Sequence, residues 1–259
     1  MILPFFQVDA FAPAPLTGNP AAVMPLEQWL PDATLQAIAA ENNLSETAFT
    51  MPFDGAEADF HLRWFTPTVE IGMCGHATLA AGHVLLRGDE VRFATRQAGI
   101  LTVRRRGAGL ELSLPAWVPE PGTAPDALAA LGVQGPLSRA SGAEEVIIVL
   151  LADEAAVRAV QPDFRAMRDI DALIVVTAPG ERHDVASRVF AANVGIDEDP
   201  VTGAAHAALV PYWAERLGRD QFTAAQVGRR GGELHCRYAA DRVHLGGEAR
   251  TVIEGSFHL

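Results

Sequence analysis

The chain has 259 residues, enough for one large domain or two small ones, and a formal net charge of −12. Such acidity argues against nucleic acid or an anionic membrane surface as a partner, because both require a basic patch. All 20 basic residues are Arg; without Lys there can be neither a pyridoxal-phosphate Schiff base nor a Walker phosphate loop.

Two cysteines, Cys74 and Cys236, form neither a disulfide framework nor a zinc-spacing motif, which fits a reduced, cytoplasmic setting. The opening MILPFFQVDAF has no basic segment ahead of an apolar core, so no signal peptide is expected. The longest apolar run, VIIVLLA at 146–152, is too short to span a bilayer.

In chain order, FFQVDAF (5–11) reads as a strand, and LTGNPAAVM (16–24) as a turn leading into a second. PDATLQAIAAENN (31–43) reads as a helix with Asp32 as N-cap, Leu35, Ile38 and Ala39 as its buried stripe, and Asn42–Asn43 at its end. LSETAFTM (44–51) and ADFHLRWF (58–65) read as strands. GHATLAAGHVLLRG (75–88) reads as an apolar helix closed by Gly88, and 100–114 as a hairpin around Gly107–Gly109. The Pro-rich PAWVPEPGTAP (115–125) is the best linker candidate and places a domain boundary near 116/117. EEVIIVLL and ALIVVTA then read as strands around a partly helical 155–167, SRVFAANVG (187–195) as a further strand, and GAAHAALVPYWAERLG (203–218) as a second apolar helix.

The halves carry a weak internal repeat: 63–88 aligns with 188–218. Each copy is a strand bearing Arg-x-Phe, a loop, a glycine, and an apolar helix, with three more residues between Phe and Gly in the second loop. A helix apolar on most sides belongs at the centre of its own domain. One such glycine is explained by a tight turn; two matching glycines, Gly75 and Gly203, point to paired helix N-termini that favour a compact anion such as a carboxylate.

Five segments in order resemble the PhzF-like family of phenazine-biosynthesis isomerases: VDAF…GNPAAV (8–23), NNLSETAF (42–49), RWFTPTVEIGMCGHAT (63–78), GIDEDPVTGAAH (195–206) and RRGGEL (229–234). The resemblance implies an α+β fold shared with diaminopimelate epimerase. In that fold two similar domains, here 1–116 and 117–259, each wrap a curved, mostly antiparallel sheet round a central helix, and the active site lies between them. The last strand is a candidate to pack back on the first domain. The resemblance further implies a homodimer that uses neither metal nor organic cofactor.

It also assigns roles. Glu46 of NLSETAF is the general acid/base, and Asp199 and His76 assist it. Gly75 and Gly203 offer backbone N–H groups to a substrate carboxylate, with Cys74, Thr202 and Ala204 beside them. Read without the family, Glu46 shares a strand face with Leu44 and Ala48, and a carboxylate on an apolar face titrates above its usual range; a solvent-facing strand Glu is the alternative. Asp199 is equally explained as a helix-capping acid, and His76 as a structural hydrogen-bonding residue. Many relatives carry Ser where this chain has Ala204, a lost donor worth about 1.5–3 kcal/mol for a charged partner. The related epimerases place a Cys at each helix start; here the pair is Cys74 and Thr202, which keeps open a racemase, epimerase or dehydratase acting on an amino or imino acid. The bland reading of Cys74 is a half-buried small residue. A non-catalytic carboxylate-binding protein is the third reading, kept open by Ala204. Arg104–Arg106 reads as a solvated face, His83 and His206 as core or rim residues, and Asn19 and Asp9 as candidates to support the cleft.

Overall fold

The computed structural model describes all 259 residues. The chain divides into two compact units, Met1–Leu114 with Gly246–Leu259, and Pro115–Leu245. The first begins with β1 (Ile2–Ala10), β2 (Asn19–Pro25), α1 (Asp32–Asn42), β3 (Glu46–Pro52), β4 (Phe60–Phe65) and β5 (Glu70–Ile71). It continues with α2 (Gly75–Leu85), β6 (Glu90–Thr95), β7 (Ile100–Arg106) and β8 (Gly109–Pro115). The second runs through β9 (Glu120–Pro121), α3 (Pro125–Leu131), β10 (Leu137–Ser141), β11 (Glu145–Leu150), α4 (Glu154–Ala159), α5 (Phe164–Met167) and β12 (Leu173–Pro179). It ends with β13 (Val185–Ala191), β14 (Ile196–Asp199), α6 (Gly203–Leu217), β15 (Gln221–Gln226), β16 (Gly232–Ala239) and β17 (Arg242–Gly247). The last strand, β18 (Ala249–His258), lies antiparallel on β1.

The architecture is α+β, and the units share one topology. In the first, successive pairings are antiparallel for β1–β2, parallel for β2–β3, antiparallel for β3–β4, parallel for β4–β6 and antiparallel for β6–β7. The second repeats that series through β10, β11, β12, β13, β15 and β16. The step from β4 to β6 is made by β5 and α2, and that from β13 to β15 by β14 and α6, so each repeat copy is one crossover.

The central helices lack a solvent face. Nine of the eleven residues of α2 and twelve of the fifteen of α6 are buried, so neither helix has the polar stripe of a surface helix. Ala and Gly keep them thin enough for strands to approach. A Cβ on Gly82 would lie 2.5 Å from Cγ1 of Val103 on β7. Pro211 sits inside α6 and cannot donate to Ala207 four residues earlier. That carbonyl instead accepts the N–H of Trp117 at 2.9 Å, so the break in the helix ladder is satisfied by the segment entering the second unit.

The repeat is also visible in its charges. Nε and Nη2 of Arg63 donate to Oε1 and Oε2 of Glu70, both at 2.8 Å. The same atoms of Arg188 donate to Glu198 at 2.7 and 2.9 Å. Each guanidinium also stacks on the aromatic ring two residues further on, at 5.0 Å for Phe65 and 5.1 Å for Phe190. The spacing from Glu to the helix glycine is identical in both copies; the three extra residues of the second copy form a single 3₁₀ turn, Ala192–Val194.

Several expected boundaries move. Pro31, not Asp32, occupies the N-cap of α1, and Asp32 instead pairs with Nη1 of Arg63 at 2.9 Å. Asn43 ends that helix in the left-handed region at φ 48°, its N–H returning to the Ala39 carbonyl. Helix α2 stops at Leu85 rather than running to Gly88, because Leu86 is already extended at ψ 119°. The 115–125 segment is not a bare linker: it holds β9, and Pro125 opens α3 at the first-turn position a proline favours. No helix is long and apolar enough to cross a membrane.

Gly82→Ala is expected to destabilise the fold by about 1–3 kcal/mol through overpacking, despite the better helix propensity of Ala. The test is a lower urea midpoint at unchanged slope. Adding Val103→Ala should recover most of that loss, since the clash is with its side chain.

Candidate active site

In the first unit, three elements bring their starts together. Asn19 is the first residue of β2, Glu46 the first of β3, and Cys74 and His76 flank Gly75 at the start of α2. Glu46 is paired in register with Ala21, two residues beyond Asn19. Gly18, at φ 73°, turns the chain into β2, a conformation open to glycine and costly to other residues.

All four side chains are buried; Glu46 is only 5% exposed and His76 only 2%. This rules out a solvent-facing strand carboxylate. Oε2 of Glu46 lies 2.9 Å from Nε2 of His76, an ion-pair distance without hydrogen-bond alignment. Nδ2 of Asn19 stands 3.0 Å from Nδ1 of His76. With the amide nitrogen donating, Nδ1 accepts, and the proton of the neutral ring sits on Nε2, towards Glu46. Sγ of Cys74 is 3.4 Å from the same Nδ1. His76 is thus held from one side by Asn19 and presents its other nitrogen to Glu46.

The second unit builds a different cluster at the equivalent helix start. Oγ1 of Thr202 donates to Oδ2 of Asp199 at 2.5 Å. Gln226, the last residue of β15, clamps the turn between them. Its Oε1 accepts from Thr202 N at 2.9 Å and its Nε2 donates to the Asp199 carbonyl at 2.5 Å. Asp199 is 4% exposed and Gln226 1%. The Asp199 carboxylate thus accepts from the Thr202 hydroxyl at the helix start.

Thr202 occupies the N-cap position, where a hydroxyl ordinarily accepts from a first-turn N–H. Here it is turned to Asp199, and the Thr202 side chain does not cap α6; nor does the Cys74 side chain cap α2. At both glycine-led helix starts the N-cap side chain therefore leaves the first-turn N–H groups to other acceptors. The carbonyl of each N-cap residue is bonded instead by a side chain four residues on. Oγ1 of Thr78 donates to Cys74 O at 2.5 Å, and Nδ1 of His206 to Thr202 O at 2.8 Å. Ala204, 3% exposed, brings no hydroxyl to this start.

His206 is wholly buried, and desolvation pushes its pKa down to about 4, partly offset by its bond to Thr202. It is neutral at pH 7, its proton on Nδ1, and Nε2 has no hydrogen-bond partner. Burial raises the thiol pKa of Cys236 on β16, so that thiol stays protonated and inert. His83 is at the rim, with Nε2 3.0 Å from Oγ1 of Thr251.

Sequence reasoning did not find Gln226. Its only local signal is a polar residue closing the apolar strand FTAAQ, and its partners lie 24 and 27 positions away.

The profile of the phenazine biosynthesis-like protein family (PhzC-PhzF) matches residues 8–255. The chain belongs to this family. It is 47% identical to an uncharacterized isomerase of Pseudomonas aeruginosa across the whole of both chains. The crystal structure of a PhzF-family phenazine biosynthesis protein from Enterococcus faecalis superposes with a TM-score of 0.88 at 42% identity, again covering both chains entirely. A hydroxyproline epimerase from Agrobacterium vitis, 12% identical with a TM-score of 0.63 over 99% of this chain and 91% of its own, shares the fold. Relatives of this PhzF-family chain are named isomerases, and the family is one of isomerases.

Because folded His206 titrates near 4 against an ordinary 6.5, the unfolded chain binds more protons between those values. Stability is therefore full above pH 6.5 and falls as pH drops towards 4, by on the order of 3 kcal/mol. The carboxylates held low by partners, Glu154 and Asp184, lose their contribution as pH falls through and below their ordinary values of 4.5 and 3.8, so they overlap only the acid end of this window. Denaturant melts of wild type and His206→Gln at stepped pH check this: the variant should lose the slope between 6.5 and about 5 and keep the carboxylate-driven loss at lower pH.

Proposed function

We propose that this chain is a cofactor-independent isomerase that moves a proton on a small carboxylate-bearing substrate. The reading is carried by Glu46, buried within 2.9 Å of a His76 imidazole that is itself anchored by Asn19. Glu46 would take a proton from a carbon activated by its neighbours and return it to another carbon, shifting a double bond. Nε2 of His76 faces the carboxylate at 2.9 Å, and a proton there would favour its ionised form. Asp199, oriented by Thr202, would assist in proton handling, and this role rests on the DPVTG segment of the family resemblance. The first-turn N–H groups at Gly75 and Gly203 would hold the substrate carboxylate, with Cys74, Thr202 and Ala204 lining their surroundings. We further propose a cytoplasmic homodimer that binds neither nucleic acid nor membrane, in keeping with the net charge of −12.

A second reading has an observation of its own. Sγ of Cys74 lies 3.4 Å from His76 Nδ1, and a thiol beside an imidazole can act as an acid or base. With Thr202 at the matching helix start, this is the racemase-like or dehydratase alternative. Against it, the Thr202 hydroxyl already donates to Asp199.

Incubation in D₂O with unsaturated and amino-acid carboxylates, followed by NMR, separates the readings. Glu46→Gln is expected to slow exchange by at least about 10²-fold, the scale of one general acid/base. Exchange unchanged in Glu46→Gln and abolished in Cys74→Ala would favour the thiol reading. Ligand-induced thermal stabilisation with no exchange at all would mark a binding protein.

A further inference from the structure

The Glu46–His76–Cys74 cluster combines three donors of different chemistry in one buried place. A carboxylate oxygen, an imidazole nitrogen and a thiol sulfur all lie within 4.8 Å of one another. Oε2 of the buried Glu46 has Nε2 of His76 at 2.9 Å but makes no aligned hydrogen bond, so a buried carboxylate oxygen faces the group with its hydrogen-bonding capacity unfilled.

We propose that Glu46, Cys74 and His76 form a binding site for a single Zn²⁺ ion, with the fourth position left to water or a small anion. The donor set selects the ion. A hard cation such as Mg²⁺ or Ca²⁺ requires six or more oxygen ligands, and only one residue here supplies oxygen. Thiolate and imidazole suit zinc, which has no d-electron preference for geometry and accepts three protein ligands plus a water. Tetrahedral bonds of ordinary length place neighbouring donors about 3.3–3.6 Å apart. The Glu46–His76 pair, 2.9 Å apart at Nε2, must open slightly, and the Cys74 thiol, 3.4 Å from Nδ1, must turn towards Nε2.

The electrostatics are also consistent. One thiolate and one carboxylate cancel the charge of a divalent ion, so the positive end of α2 is not set against a net positive site. Coordination releases the Cys74 thiol proton to solvent and moves the one proton of the neutral His76 ring from Nε2 to Nδ1. A ring protonated on Nδ1 then needs an acceptor. Asn19 already lies 3.0 Å from that nitrogen, and turning its amide end for end offers the oxygen without moving the backbone. Binding does not rest on the isomerase reading. Its consequence does: zinc held by Glu46 and His76 would block their proton transfer reversibly.

The test uses the full-length, metal-free protein and metal alone. Titration with Co²⁺ is expected to give one bound equivalent and a near-ultraviolet sulfur-to-cobalt band, and Zn²⁺ should bleach that band. Cys74→Ser should lose it, Cys236→Ser should keep it, and Glu46→Gln should bind at least about tenfold more weakly. Zn²⁺ should raise the melting temperature of wild type and of Cys236→Ser but not that of Cys74→Ser. Absence of the band in wild type, its survival in Cys74→Ser, or its loss in a folded Cys236→Ser would overturn the proposal. Loss of D₂O exchange in Glu46→Gln with zinc binding intact would overturn the metal site and leave the isomerase reading standing.

Discussion

A helix with no face turned to water is the constraint from which the rest of each unit follows. Helix α2 packs against β1, β2, β3, β7 and β18, and burial on every side leaves room for little beyond Ala, Gly and Leu. Such a helix cannot give its terminal polar groups to solvent, and its first-turn N–H groups carry the positive end of its dipole. Something polar must therefore gather at its start. In the first unit this is the Asn19–His76–Glu46 chain, and in the second the Asp199–Thr202–Gln226 clamp. The placement of chemistry at the helix starts is a consequence of burying the helices, and the two units solve the same problem with different side chains.

The Arg-x-Phe strands show how the loops before those helices are held in register. Each Arg binds its Glu with both arms and lies on the aromatic ring two residues along, so loop, strand and ring are locked together. Arg188 also reaches the carbonyl of Val160 at 2.8 Å, and Arg63 reaches Asp32. Removing one partner from such a site leaves a buried charge uncompensated, which costs more than the net worth of the pair. Since the Glu-to-Gly spacing is the same in both copies, Thr202 stands at the position of Cys74. The three inserted residues are absorbed earlier, in the 3₁₀ turn at Ala192–Val194, and do not disturb the helix start.

Much of this was legible along the chain. The apolar helices, the glycines that open them, the repeat and the short motifs are local in sequence, and alternation or composition reports them directly. Strands β15 to β17 were not anticipated, nor were β6, β10 and α3, and the last strand was expected on the first domain only without bounds. Several are short, and β18 is largely exposed, so its residues do not alternate between a core and water. The end of α2 was misplaced because Gly88 is a strong stop signal, whereas the chain turns extended two residues earlier, at Leu86, for tertiary reasons.

By itself the sequence determined the acidic character, the absence of lysine chemistry, the two buried helices and the identity of the residues at their starts, because each depends on composition or on spacing within one segment. The tertiary structure alone decided which atom faces which. It aimed the Thr202 hydroxyl at Asp199, brought Gln226 from another strand to hold both, and buried Glu46 against a His76 whose other ring nitrogen meets Asn19. Apart from Thr202–Asp199, three positions apart, those contacts join residues 24 to 57 positions apart, from Gln226–Thr202 to Asn19–His76. No periodicity carries information over that span; it is supplied only by strands that pair and by a helix packed between them.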